Sequence, residues 1–268
     1  IDISIVNVAL PQIRGSIGAS IDQMTALGTS FAIAQVIIMP LTAFLGRFVG
    51  QKQVYLFCLG LFLVGSMLCG LAHTLPQLIA ARALQGLGAG ALQPSQMAIL
   101  RQTFPAKEQG MAMAVFAMVV VIGPAIGPTL GGWIVDNWSW PWIFYINLPV
   151  GIIGILATIR FVHEPDDIRA ANRAQAEVMR RNLDWQGILY MSIGLAALQY
   201  FLQEGSRLDW FDSRLVTLSL IVAVVGLTAF VVQELHAPAP AVNLRLFRDP
   251  TFLSATLIGG IMFANLMA

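Results

Sequence analysis

The stretch MAMAVFAMVVVIGPAIGPTLGGWIV, residues 111–135, contains no charged side chain. Wound as an α-helix at about 1.5 Å per residue it measures roughly 37 Å, longer than the ~30 Å hydrocarbon core of a bilayer. A helix in a water-soluble domain carries one polar face, and this segment has none. Lipid is the solvent it requires. The rest of the chain agrees. Over 268 residues, 57% are hydrophobic and only 11% are charged, with a mean hydropathy of +0.75, whereas soluble domains carry about 25% charged residues.

Working outward from 111–135, further apolar runs occupy approximately 1–14, 24–46, 54–72, 76–99, 143–162, 185–204, 214–234 and 251 onward. Backbone groups in lipid must bond within their own segment, so these runs are predicted to be helices and the fold class is an all-α integral membrane protein. Dividing the loops alternately between two sides places eleven of the fifteen basic residues on one side, among them Arg47, Lys52, Arg101, Lys107, Arg180 and Arg181. That side is read as cytoplasmic. The six tryptophans fall near span ends, as an interfacial belt would place them. The polar segment 163–183 reads as a solvated cytoplasmic connector, with Asp166 and Asp167 early and Arg180 and Arg181 late. The chain opens in one apolar run without an initiating Met and closes in another, so the expectation is a piece of a longer protein.

Several function classes fall away. A net charge of +1 offers no footprint for nucleic acid. Cys58 and Cys69 lie eleven residues apart in one run, about 16 Å along a helix, too far to bridge. The sequence holds no Gly-rich phosphate loop with its Lys, no metal-ligand spacing and no Ser, His and Asp arrangement, so neither an enzyme nor a metal site is expected.

Charges inside a membrane are costly, which singles out Asp2 and Arg82. If the first span ends near Ile13, Asp2 lies about 16 Å from that end, close to the bilayer middle. Burial favours the neutral form of a carboxylate and a nearby cation favours the charged form. Alternation between the two surroundings would therefore load and release a proton. A helix-capping role is the plainer alternative for Asp2. Arg82 lies about 9 Å inside the fourth span and always carries charge, so it must be paired, hydrated or reaching for the headgroups. At 100° per residue, Arg82, Gln85, Gly86, Ala89, Gln93 and Gln96 share one stripe, read here as the wall of a polar cavity. Ser192, Gln199 and Gln203 repeat the pattern weakly in the seventh span, where helix contact and substrate contact both remain open. Gly123, Gly127 and Gly131 form a flat strip on the fifth span, and Pro124 and Pro128 invite a kink.

These residues resemble the drug:proton antiporters of the major facilitator superfamily, in the fourteen-helix branch of EmrB/QacA type. DISIVNVALP is similar to that branch's first-helix motif, which gives the acidic role to Asp2 and marks Asn7 and Pro11, with Ser4 where Thr is usual. LIAARALQGLGAG looks like the fourth-helix motif, implying a role in proton transfer for Arg82 with Gln85 and Gly86 alongside. GPAIGPTLGG matches the fifth-helix antiporter motif at Gly123, Gly127, Pro128, Gly131 and Gly132, and WIFYINLPVG resembles the entry to the sixth helix with Asn147 and Pro149. The loop FLGRFVGQKQVYL departs from the pattern. Arg47 stands at an acidic place, Phe48 and Gln51 at basic ones, and only Gly50 and Lys52 remain, which weakens the usual charge latch.

The resemblance implies a six-helix bundle over 1–162, the connector 163–183, two linker helices over 184–235, and the start of a second bundle over 236–268. It implies proton-coupled export of amphipathic drugs by alternating access in a bacterial inner membrane. Asp2 and Arg82 would couple the proton, Asn7, Gln85, Gln93 and Gln96 would face the substrate, and the glycine strip would seal the bundles. No cofactor beyond the proton gradient is expected, and a periplasmic adaptor with an outer-membrane channel is left open as a partner. The rival readings are a dedicated exporter of one metabolite or siderophore and a membrane sensor or scaffold that has lost transport.

Overall fold

The computed structural model describes residues 2–162, 184–237, 242 and 244–267, and the connector 163–183 lies outside them. Helix α1 (Asp2–Ile17) ends where Gly18 adopts φ 72, a left-handed conformation cheap only for glycine. Helix α2 (Ile21–Val49) opens on a capping box: Ser20 accepts from the Gln23 amide, and the Gln23 side chain accepts from the Ser20 amide. Gly50, at φ 97 and ψ 142, breaks α2 from α3 (Gln51–Gly70). Helices α4 (Leu75–Thr103) and α5 (Ala106–Asn137) follow, the first with Pro in its opening turn and the second directly after Pro105.

The expected span at 143–162 is broken into α6 (Trp142–Tyr145) and α7 (Asn147–Phe161), with Ile146 between them. Pro149 has no N–H to offer the carbonyl of Tyr145 four residues back, which is the physical reason for the interruption. Beyond the connector, α8 (Trp185–Glu204) is capped by Asp184, which accepts from the Gly187 amide at 2.9 Å. Helix α9 (Arg214–His236), a 3₁₀ turn at Leu244–Arg248 and α10 (Pro250–Met267) complete the described elements. Five helical stretches are long and apolar enough to cross a membrane by length and composition: α2, α3, α5, α6 with α7, and α9. Helix α4 is not among them, because its glutamines and Arg82 lower its hydropathy. It is nonetheless the centre of the packing.

Helix α4 lies between α2 and α3, and glycines set how closely. A Cβ on Gly86 would collide with the Phe31 carbonyl of α2, and one on Gly90 with the Gln35 carbonyl. Gly88 instead meets the backbone of Cys58 and Phe62 on α3. The GLGAG run therefore serves two neighbours at once, with positions four apart facing one helix and the middle position facing the other. Helix α1 packs on α5, and α8 lies along α2 while pairing with α9. That pair closes at two glycines, where a Cβ on Gly226 would stand 3.0 Å from the Gly194 Cα. Met111, Val115, Met118, Val119, Ile122 and Ile126 leave an exposed apolar face on α5 that water would disfavour and lipid or another helix would accept. At one end of the bundle Trp133, Trp138, Trp142 and Tyr145 form a chain of ring contacts at 4.9–5.7 Å, the aromatic clustering expected of span ends.

Candidate functional site

The two charges that the sequence singles out meet. Arg82 Nη1 on α4 donates to Asp2 Oδ2 on α1 at 2.7 Å, with the Arg82 side chain 2% and the Asp2 side chain 12% exposed. Three further polar side chains complete a closed network. Gln85 Nε2 donates to Asp2 Oδ1 at 3.1 Å and to Ser66 Oγ at 3.2 Å. Asn147 Nδ2, at the start of α7, donates to the same two oxygens at 3.2 and 3.0 Å. Ser66 Oγ–H donates to the Phe144 carbonyl at 2.9 Å, and Arg82 Nη1 also donates to Gln85 Oε1 at 2.7 Å. The guanidinium rests 4.1 Å from the centre of the Phe31 ring, a cation–π contact in a dry site.

The donor and acceptor pattern has a chemical consequence. Among the described residues, the hydrogen-bond partners of Asp2 are all donors: Arg82, Gln85 and Asn147. As a carboxylate it satisfies all three. Protonation would add an O–H donor, which none of the three groups facing Asp2 accepts as they are placed. It also strips Arg82 of its counter-charge, which in a buried setting costs about 3–5 kcal/mol unless another partner arrives. The members of the network come from α1, α3, α4 and α7. Proton uptake here would act on four helices together.

A cavity of about 390 Å³ lies beside this network, lined by residues of α1, α2 and α4 and by Gln203 of α8. Arg82 contributes to its wall, and the buried Arg82 Nε has no hydrogen-bond partner. Asn7, Thr25, Thr29 and Gln203 are its other polar lining residues, while Val6, Leu10, Met24 and Phe31 supply apolar surface.

The expected stripe on α4 is not one wall. Arg82 lines this cavity, but Gln85 is fully buried in the Asp2 network, Gln96 bonds the Tyr55 hydroxyl at 3.2 Å, and Gln93 is exposed. Positions 82 and 96 are separated by about 21 Å of helix rise, more than one cavity of this size can span. Of the expected substrate residues, Asn7 lines the cavity. Gly123, Gly127 and Gly131 are all buried on α5, and at Gly131 a Cβ would lie 3.2 Å from the Ile5 Cα. That end of the strip therefore serves the close approach of α1 within this bundle. Gly132 is looser, with Val8 at 3.9 Å, and Pro128 lies inside α5. Lys52 Nζ donates to the Val162 carbonyl at 2.6 Å and to the Ile159 carbonyl at 3.2 Å, so here it caps the C-terminal end of α7.

Ser66 is the network member that sequence reasoning missed, and Asn147 stood out only through its motif. Their signals were faint: the one serine in the apolar α3, and the one amide in the run from Trp142 to Thr158.

Comparison with known proteins agrees with the geometry. The chain is 38% identical over 264 residues to the fatty acid resistance protein FarB of Neisseria gonorrhoeae, covering 98% of this chain and 50% of that protein. It is 36% identical over 263 residues to the multidrug export protein EmrB of Haemophilus influenzae, again 98% and 50%. It is 34% identical over 262 residues to the multidrug transporter protein MdtP of Bacillus subtilis, covering 98% of this chain and 46% of that protein. The chain spans about half the length of these curated relatives. The family model of the Major Facilitator Superfamily matches residues 1–268. With its helices, its buried ion pair and its multidrug-export relatives, this multi-pass membrane chain belongs to the Major Facilitator Superfamily.

Proposed function

We propose that the protein containing this chain exports small amphipathic organic compounds in exchange for protons, by alternating access. The observation that carries the reading is the Asp2 network: a carboxylate whose hydrogen-bond partners among the described residues are all donors, tied to four helices, with its Arg82 partner lining an adjacent cavity. Asp2 takes the proton, and Arg82, released from its counter-charge, turns its donors toward the cavity or another acceptor. Protonation leaves the guanidinium without its counter-charge beside the cavity, which disfavours a cationic compound there, so proton and compound are bound in alternation, as antiport requires. The names of the relatives point to drugs and to fatty acids, both amphipathic organic molecules, and support that substrate class. Residues 1–162 serve as the first bundle, 184–235 as two linker helices and 236–268 as the entry to a second bundle, all in a bacterial inner membrane.

The test is proton release from vesicles holding the full-length protein under an imposed pH gradient. Addition of an exported compound should evoke proton movement of opposite direction that saturates with the compound. Export without any proton movement would leave transport standing and remove the coupling. A profile confined to one compound would favour a dedicated exporter.

The proposed orientation has its own expected result, motivated by the eleven basic residues on one side. In a background lacking Cys58 and Cys69, Asn172→Cys should resist an impermeant thiol reagent in intact cells and Ser206→Cys should react. Labelling in the reverse order would invert the topology.

A further inference from the structure

Glu204, the last residue of α8, is a second buried carboxylate, 3% exposed and outside the Asp2 network. Its two oxygens have different partners. Oε2 accepts from Arg207 Nε and Nη2, each at 2.7 Å, and Arg207 Nη1 reaches Asp22 of α2 at 3.3 Å. Oε1 accepts from the hydroxyl of Thr29 on α2 at 2.6 Å. Thr29 lines the cavity, as does Gln203, the neighbour of Glu204.

A threonine hydroxyl has one proton and two lone pairs. The Thr29 proton has two acceptors within reach: Glu204 Oε1 at 2.6 Å and the Thr25 carbonyl at 3.1 Å. The charged and closer acceptor takes it, so the lone pairs of Thr29 are left for the cavity. Thr25 is set in the same way, its hydroxyl proton committed to the Asp22 carbonyl at 2.8 Å. On the opposite account, Gln203 has its carbonyl oxygen taken by Gln199 Nε2 at 2.9 Å, which leaves its amide donors. The cavity therefore has an acceptor side on α2 and a donor from Gln203 of α8.

We propose that Glu204 is a specificity-determining positioning residue, which by drawing away the Thr29 hydroxyl proton makes the α2 wall of the cavity an acceptor for N–H or O–H groups of the exported compound. This rests on the cavity being a substrate site. A plain staple between α8 and α2 is the competing role, and isosteric variants separate the two. In Glu204→Gln, Arg207 keeps the single carbonyl oxygen, so the new NH₂ faces Thr29, takes one of its two lone pairs and frees the hydroxyl proton to turn to the Thr25 carbonyl or the cavity. Thr29→Val removes the acceptor outright, whereas Thr29→Ser retains it.

The experiment measures KM and kcat for export from vesicles containing the full-length protein, using two monovalent cations. Ethidium carries aryl amine N–H donors, and tetraphenylphosphonium carries none. Glu204→Gln and Thr29→Val should each raise KM for ethidium about fivefold to tenfold, the loss of roughly one hydrogen bond, leave KM for tetraphenylphosphonium unchanged, and have little effect on kcat. Thr29→Ser should behave like the parent. Equal KM shifts for both cations, or parent-like values for both, would overturn the inference while leaving the cavity reading in place. A parent protein that neither binds nor exports either cation would remove the cavity reading together with the inference.

Discussion

Asp2→Asn is expected to abolish uphill export, lowering proton-driven transport by about 10²-fold or more, the range over which a lost proton-transfer group is felt. Asparagine preserves the size of the side chain but carries no exchangeable proton at a carboxylate. It also brings its own NH₂ into a shell whose other members, Gln85 and Asn147, already point donors at that place. Arg82 is left with Gln85 Oε1 and the Phe31 ring as its remaining contacts and without a counter-charge. Some loss of stability is therefore expected with the loss of coupling, and the two are separable. Transport is normalised to the amount of protein in the membrane, and facilitated movement of the compound down its own gradient is measured beside the uphill flux. Downhill movement should persist while uphill movement fails. Full uphill export by Asp2→Asn vesicles under a pH gradient would take Asp2 out of the mechanism.

Arg82→Lys should lose most proton-coupled transport, more than about tenfold, while inserting like the parent. One reading of Arg82 is a positive charge and nothing more. Lysine supplies that charge and can reach Asp2, so under that reading transport survives. The geometry argues otherwise. Arg82 uses one nitrogen for both Asp2 and Gln85, holds its guanidinium 4.1 Å from the centre of the Phe31 ring, and lines the cavity wall. A compact ammonium on a flexible stem cannot hold three directions at once. Compound-evoked proton release from vesicles of the full-length variant is the measurement. Parent-like release would mean that charge alone suffices and that the fork has no role.

These two residues show how much was legible beforehand. Asp2 and Arg82 stand out in the chain because a charge in an apolar run is expensive, and that cost is independent of where the helices go. The same holds for the helical class, since lipid leaves the backbone no other way to satisfy its hydrogen bonds within a single segment. In the sequence alone Gly86 has only a place on a polar stripe and in the fourth-helix motif, and the packing role of Gly86, Gly88 and Gly90 appears only in the structure. Which neighbour each one meets is absent from the string. Two face α2 and one faces α3 because α4 happens to be wedged between them.

Tertiary structure decided the partners. Ser66 is an unremarked residue of its helix and Asn147 is marked only by its motif; both become members of the site only when α3 and α7 bring them into the Asp2 network. A stripe on a helical wheel treats Arg82, Gln85, Gln93 and Gln96 as equals. Burial separates them, because neighbouring helices cover the first two and leave Gln93 exposed. Lys52 reads as a remnant of a charged loop and is found on the carbonyls of Ile159 and Val162, more than a hundred residues away in sequence. Local sequence fixes which groups carry charge and which segments seek lipid, since those follow from each side chain's own solvation. The pairing of donors with acceptors depends on distances between helices, and only the packed bundle sets those.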